Sequence, residues 1–157
     1  MSMHLATESI HFLQVTDHDA EFVTRVLDRA EELRSDPQPV LAGKSLAMVF
    51  EKPSLRTRVS FEVAMTRLGG HEINLQPQDI GLNTREPARD VARVLSGMCE
   101  VIMARVFDHA TLVDLAEAAD VPVINGLSDL AHPCQALADA LTIRDHVRDV
   151  EARQVVY

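Results

Sequence analysis

Short, uninterrupted apolar runs alternate along this chain with segments of helical periodicity, and no other feature restricts its possible folds as much. The clearest run is SLAMVF, residues 45–50, which carries no polar residue after Ser45. Strands of a parallel sheet, covered on both faces, read this way, whereas a strand with one wet face alternates apolar and polar residues. Val101–Ala104 and Val121–Ile124 have the same character, and Glu72–Leu75 is a further short strand candidate.

Between these runs the period changes to that of a helix. Thr16 with Asp19 three residues on predicts a helix start, and Ala20, Val23, Val26, Leu27, Ala30 and Leu33 then fall on one face. The prolines in Asp36-Pro37-Gln38-Pro39 end that helix. A second helix is expected over Arg56–Leu68, stopped by Gly69-Gly70. After a polar loop through Asn83 and Thr84, Pro87 suits a first helical turn, with Val91, Val94, Leu95 and Met98 as the buried face. Helices over Thr111–Ala119 and from Pro133 to about Val147 complete the series. Strand and helix in regular alternation predict an α/β fold, with a parallel sheet of about four strands flanked by helices in three αβα layers and joined by right-handed crossovers. Residues 1–150 are expected to form this domain, and Gln154–Tyr157 reads as the opening strand of a second domain, of which residues 151–157 are the start.

Charge and composition narrow the functional classes. The net charge of −9 opposes broad binding to nucleic acid or to an acidic membrane, both of which need a basic surface. No apolar run approaches the roughly 18 residues of a membrane span, and the first residues, MSMHLATESIHF, lack a basic-then-apolar export signal. Cys99 and Cys134 have neither zinc-ligand nor redox spacing, so reduced thiols in a cytoplasmic protein are expected. His4, His11, His18, His71, His109 and His146 show no metal-ligand spacing either, and no metal or cofactor is expected.

Against this acidic background, EKPSLRTR, residues 51–58, places Lys52, Arg56 and Arg58 with Ser54 and Thr57 at a strand-to-helix junction. Cations at a helix N-terminus oppose the helix dipole. An anion there reverses that cost, because it is held by unpaired amides, by a capping hydroxyl and by guanidinium groups together. Ser54, Arg56 and Thr57 are therefore the candidate phosphate ligands. Lys52 is a weaker candidate, and Arg58 is equally well spaced for an ion pair with Glu62. Two other polar segments follow strand ends: Arg105 after Val101–Ala104, and His132-Pro133-Cys134-Gln135 after Val121–Ile124 and its loop. Each alone reads as a surface or structural residue. In an open parallel sheet, however, the carboxyl ends of the strands share one rim, where ligands bind.

FEKPSLRTRVSFE at residues 50–62 and HPCQALAD at residues 132–139 resemble ornithine carbamoyltransferase, of the aspartate/ornithine carbamoyltransferase family. RDVARVL at residues 89–95 and the Arg105 strand end are similar to it as well, so the resemblance covers nearly the whole chain. Cys134 after His132-Pro133 favours the ornithine branch. The resemblance implies a carbamoyl-phosphate-binding domain that is normally followed by an amino-acid-binding domain, in a homotrimer of arginine biosynthesis that transfers a carbamoyl group to the δ-amino group of ornithine. It implies that Ser54, Arg56, Thr57 and the backbone amide of Leu55 hold the phosphate. Arg105 would bridge phosphate and carbamoyl oxygen, His132 would donate to that oxygen, and Gln135 would hold the carbamoyl NH₂. Many relatives have Thr where this chain has Leu55, Gln where it has Gly81, and Gly where it has Asn83.

Without the second domain, the chain is expected to bind carbamoyl phosphate weakly or not at all and not to turn over. The alternative readings are a phosphate- or anion-binding regulatory module without catalysis, and a carbamoyltransferase for another amine or amino acid. A nucleotide-binding domain is poorly supported, because no Gly-rich fingerprint follows any strand.

Overall fold

The computed structural model describes residues 10–147. His4, the Gln154–Tyr157 strand and the expected domain boundary near residue 150 lie outside the described residues. Four parallel strands, β1 (Ser45–Phe50), β2 (His71–Leu75), β3 (Val101–Arg105) and β4 (Val123–Leu127), lie in the order β2-β1-β3-β4. The helices are α1 (Ala20–Ser35), α2 (Leu55–Arg67), α3 (Pro77–Ile80), α4 (Ala88–Ser96), α5 (His109–Ala118) and α6 (Pro133–His146).

The apolar runs form the two central strands, as their pattern requires. Leu46 to Phe50 and Ile102 to Ala104 are all buried. Alternate residues feed opposite faces of the sheet. Ala47, Val49, Ile102, Ala104 and Val123 share one core with Val91 and Ala92 of α4 and Leu112 and Leu115 of α5. Leu46, Met48, Phe50 and Met103 share the other with Met65 and Phe61 of α2. Helices thus cover both faces, and α1 packs on α6, tied to it by Arg144 with Asp28 and Glu31 and by Arg34 with Asp145.

Several sequence expectations are corrected here. The first helix begins at Ala20, capped by Asp19, whose carboxylate accepts from the Phe22 amide, while Thr16 falls in a preceding 3₁₀ turn over Val15–Asp17. None of its residues is fully buried, and Ala20 and Ala30 are exposed, because α1 forms an outer layer on another helix. The polar loop after β2 contains the short helix α3, ended by Gly81 in left-handed backbone (φ +61°). In the fourth helix Val94 is 53% exposed, and Met98, which lies past the helix end at Ser96, is 72% exposed; the buried stripe is Ala88, Val91 and Ala92.

The largest shift is at β4, which runs Val123–Leu127 instead of Val121–Ile124. Asn125-Gly126 reads as a turn signal, yet both lie inside the strand. A side chain at Gly126 would collide with Met103 of the neighbouring strand, so glycine is what allows that close approach. Along the outer edge of β4 runs the segment around Phe12: its amide donates to Val123 O at 2.8 Å, and the Asn125 amide donates to Phe12 O at 2.9 Å. Among the described residues, no helix is long and apolar enough to cross a membrane.

Candidate functional site

The chain leaves β1 to β2 on one side and then crosses back to β3 on the other, so the helices that follow β1 and β3 pack on opposite faces of the sheet. Phe50 and Arg105, the last residues of these strands, are register partners, and the Glu51 amide donates to Arg105 O at 2.9 Å. The EKPSLRTR loop and Arg105 are therefore adjacent at the switch point of the sheet, where open α/β folds bind ligands.

Ser54 is the N-cap of α2, with extended backbone and a hydroxyl that accepts from the Thr57 amide at 3.4 Å. Capping of this kind stabilises a helix by about 1 kcal/mol. The amides of Leu55 and Arg56 lie in the first helical turn, whose N–H groups find no acceptor within a helix. The Leu55 side chain has no hydrogen-bonding atom, so only its backbone amide can donate to a ligand at this rim. The Ser54 hydroxyl lies 3.0 Å from Thr57 Oγ1, and Arg105 Nη1 donates to that same oxygen at 3.1 Å. Two hydroxyls, a guanidinium and a helix N-terminus thus converge within hydrogen-bonding distance of one another.

From the opposite wall comes α6, which starts at Pro133 with His132 as its N-cap residue. Burial, and next the Arg105 guanidinium, hold the His132 imidazole below its usual range, with Asp139 pulling the other way. Its Nδ1 is buried without a hydrogen-bond partner, and so is Nε of Arg105. Buried polar atoms of this kind are uncommon and costly unless they have a use. Gln135 lies three residues further along α6 and donates through Nε2 to Asp139 Oδ1 at 2.8 Å.

All seven residues singled out from the sequence, Ser54, Leu55, Arg56, Thr57, Arg105, His132 and Gln135, line one groove of about 690 Å³. Ser60, Phe61, Gly126 and Leu127 line it too and carried no sequence signal; the last two were hidden by the misplaced end of β4. The two weaker candidates lie elsewhere. Lys52 Nζ sits 5.0 Å from the Phe107 ring centre, and Arg58 Nε pairs with Glu62 at 2.6 Å. Cys134 is a wall residue: burial pushes its thiol up to about 11, and Sγ donates to Asn125 O at 3.5 Å. A thiol so placed is a poor nucleophile at neutral pH. Among the described residues, no group of three or more His, Cys, Asp or Glu side chains is arranged to hold a metal ion.

The groove can bind a compact dianion at its α2 end and polarise a carbonyl at its α6 end. Residues 10–145 match the family model described as the aspartate/ornithine carbamoyltransferase carbamoyl-P binding domain. The chain is 50% identical over 152 residues to the chloroplastic ornithine carbamoyltransferase of Pisum sativum, covering 93% of this chain and 40% of that protein. It superimposes on the ornithine carbamoyltransferase of Pyrococcus furiosus with a TM-score of 0.83 and 51% identity, over 86% of this chain and 45% of that one. The anabolic ornithine carbamoyltransferase of Campylobacter jejuni gives a TM-score of 0.84 and 44% identity, again over 86% and 45%. The chain therefore spans about half the length, or less, of these relatives.

Proposed function

Since this chain belongs to the aspartate/ornithine carbamoyltransferase family and matches its carbamoyl-phosphate-binding domain, we propose that its groove holds carbamoyl phosphate for transfer of the carbamoyl group to the δ-amino group of ornithine. The observation that carries this reading is the meeting of Ser54, Thr57, Arg105, His132 and Gln135, from three distant segments, on one groove.

In this reading the phosphate sits at the N-terminus of α2, held by the amides of Leu55 and Arg56, the hydroxyls of Ser54 and Thr57, and the Arg56 guanidinium. Arg105 reaches both the phosphate and the carbamoyl oxygen. His132 donates to that oxygen, and Gln135 turns from Asp139 to the carbamoyl NH₂. The amine attacks the carbamoyl carbon, a C–N bond forms, the C–O bond to phosphate breaks, and the amine gives up its proton to the departing phosphate. Negative charge grows on the carbamoyl oxygen during attack and on the phosphate during departure. Fixed donors at both places stabilise the transition state more than the ground state. Ornithine would be gripped by the remaining part of the longer protein, giving citrulline and phosphate in arginine biosynthesis. A cytoplasmic location fits the unpaired thiols Cys99 and Cys134.

A trimer built through this domain suits the outer face of α2, where Leu55, Val59 and Val63, each four residues apart, are all exposed. Such a stripe on a single helix face is what an interface uses. Light scattering of the full-length protein is expected to give a trimer, and a Val59→Glu variant a smaller species.

Calorimetric titration tests the ligand. Carbamoyl phosphate is expected to bind more tightly than inorganic phosphate, with the difference lost in His132→Ala. Equal binding of the two anions would favour an anion-binding module without catalysis.

A further inference from the structure

Nothing in the reading above uses Asn125, although it is the most enclosed polar side chain at the groove. It is fully buried in β4, next to Gly126 and Leu127 of the groove wall. Its Nδ2 donates to Leu13 O at 2.9 Å and to Ala131 O at 3.2 Å, and lies 3.4 Å from Ser128 Oγ. The two carbonyl oxygens can only accept, so the amide orientation is fixed by chemistry: turned over, its oxygen would face both. In the orientation observed, Oδ1 is buried without a partner.

The links to Ala131 and Ser128 matter because they close the loop that delivers His132. Ser128 donates through its amide to Ala131 O at 3.0 Å and receives the Ala131 amide on Oγ at 3.2 Å. Ala131 is the residue directly before His132, whose own carbonyl accepts the Gln135 and Ala136 amides and starts α6. Asn125 O also accepts from the Cys134 thiol, so the same residue grips α6 on both sides of its cap. From its other side Asn125 holds Leu13, in the segment that runs along the edge of β4.

We propose that Asn125 is a positioning residue for His132: by clamping Ala131 O against Leu13 O and Ser128, it fixes where the His132 imidazole stands in the groove. It touches no ligand itself. This inference rests on the reading of His132 as the group that recognises the carbamoyl oxygen, and it predicts a split between two anions. Phosphate, held at the α2 end, does not depend on Asn125. Carbamoyl phosphate does, since a displaced His132 no longer donates to the carbamoyl oxygen, and loss of such a hydrogen bond costs roughly tenfold in affinity.

The test uses the full-length protein with Asn125→Asp, which turns both carbonyl contacts repulsive at almost unchanged volume, and Asn125→Ala, which removes them without adding charge. Calorimetry with carbamoyl phosphate and with inorganic phosphate is combined with NMR of the His132 imidazole. The expected result is that affinity for carbamoyl phosphate falls roughly tenfold or more while that for phosphate changes less than about twofold. In Asn125→Ala the His132 resonances are expected to move before any ligand is added. A merely structural role would lower the unfolding temperature, leaving the ratio of the two affinities and the His132 signals as they are; folded variants with that behaviour overturn the proposal. If the unsubstituted full-length protein does not distinguish the anions, the functional reading fails by itself, and the His132 signals of unliganded Asn125→Ala still decide this one. If neither variant folds, the side-chain NH₂ signals of Asn125 decide: a shift with carbamoyl phosphate but not with phosphate supports the clamp, and no shift overturns it.

Discussion

Arg105 offers the sharpest separation of function from stability. It closes a central strand, is partly buried, and among the described residues forms no salt bridge. Its Nη1 donates to Thr57 Oγ1, and its Nε is buried without a partner. Replacement by Met keeps most of the apolar stem. It gives up one hydrogen bond worth about 1 kcal/mol and relieves an unpaired buried donor whose cost is ~1–3 kcal/mol. The unliganded variant is therefore expected to be as stable as the original chain or up to about 2 kcal/mol more so; at roughly 2–4 °C per kcal/mol for a domain of this size, its melting temperature rises by a few degrees. Anion binding goes the other way. Loss of two charge-assisted hydrogen bonds, each worth ~1.5–3 kcal/mol, lowers affinity by at least roughly a hundredfold. Thermal unfolding with and without millimolar carbamoyl phosphate reads both effects, since ligand stabilisation follows its concentration over Kd. Destabilisation of the unliganded Arg105→Met chain by more than about 1 kcal/mol would show that the guanidinium holds the fold rather than the ligand, and would refute the reasoning.

Three further outcomes follow from the same geometry. The His11 and His132 imidazoles are both held below the usual value of about 6.5, mainly by burial, so the folded chain binds fewer protons than the unfolded one below that pH. Stability is then flat above pH 6.5 and falls as the pH drops through the window below it; urea midpoints across pH 5–8 should show this, with a shallower fall in His132→Gln, and a midpoint that rises on acidification would contradict it. Cys134, with its thiol near 11, should react slowly with a disulfide reagent at pH 7.5 and more slowly still with phosphate present; prompt, unprotected labelling would place it outside the groove wall. Gly126→Ala should destabilise by about 1–3 kcal/mol through overpacking on Met103, with partial recovery in the Met103→Ala background; equal costs in the two backgrounds would mean the two residues do not compete for space.

Legibility of the site in the sequence depended on how local each signal was. Ser54 could be read as a helix cap because a cap needs only the residues that follow it, whereas Arg105 alone reads as a surface residue and gained its role only from the shared rim and the family resemblance. The ambiguity of Arg58 between Glu62 and the anion needed side-chain directions, and the structure places it on Glu62. Val94 and Met98 were expected to be buried because helical periodicity reports which residues share a face. It does not report how wide a stripe the neighbouring layer covers, and here that stripe is Ala88, Val91 and Ala92.

By itself the sequence determined the α/β architecture, and it marked the start of α2 as the candidate anion site. These follow from short-range physics: the covered strand's lack of polar residues, the capping hydroxyl, and the cost of cations at a helix N-terminus. Only the tertiary structure decided the extent of β4, because Asn125-Gly126 is a turn signal locally and becomes strand only when Met103 fills the space over the glycine. For the same reason only the tertiary structure showed Asn125 joining Leu13 to Ala131: hydrogen bonds between residues 112 apart in the chain leave no trace in local pattern.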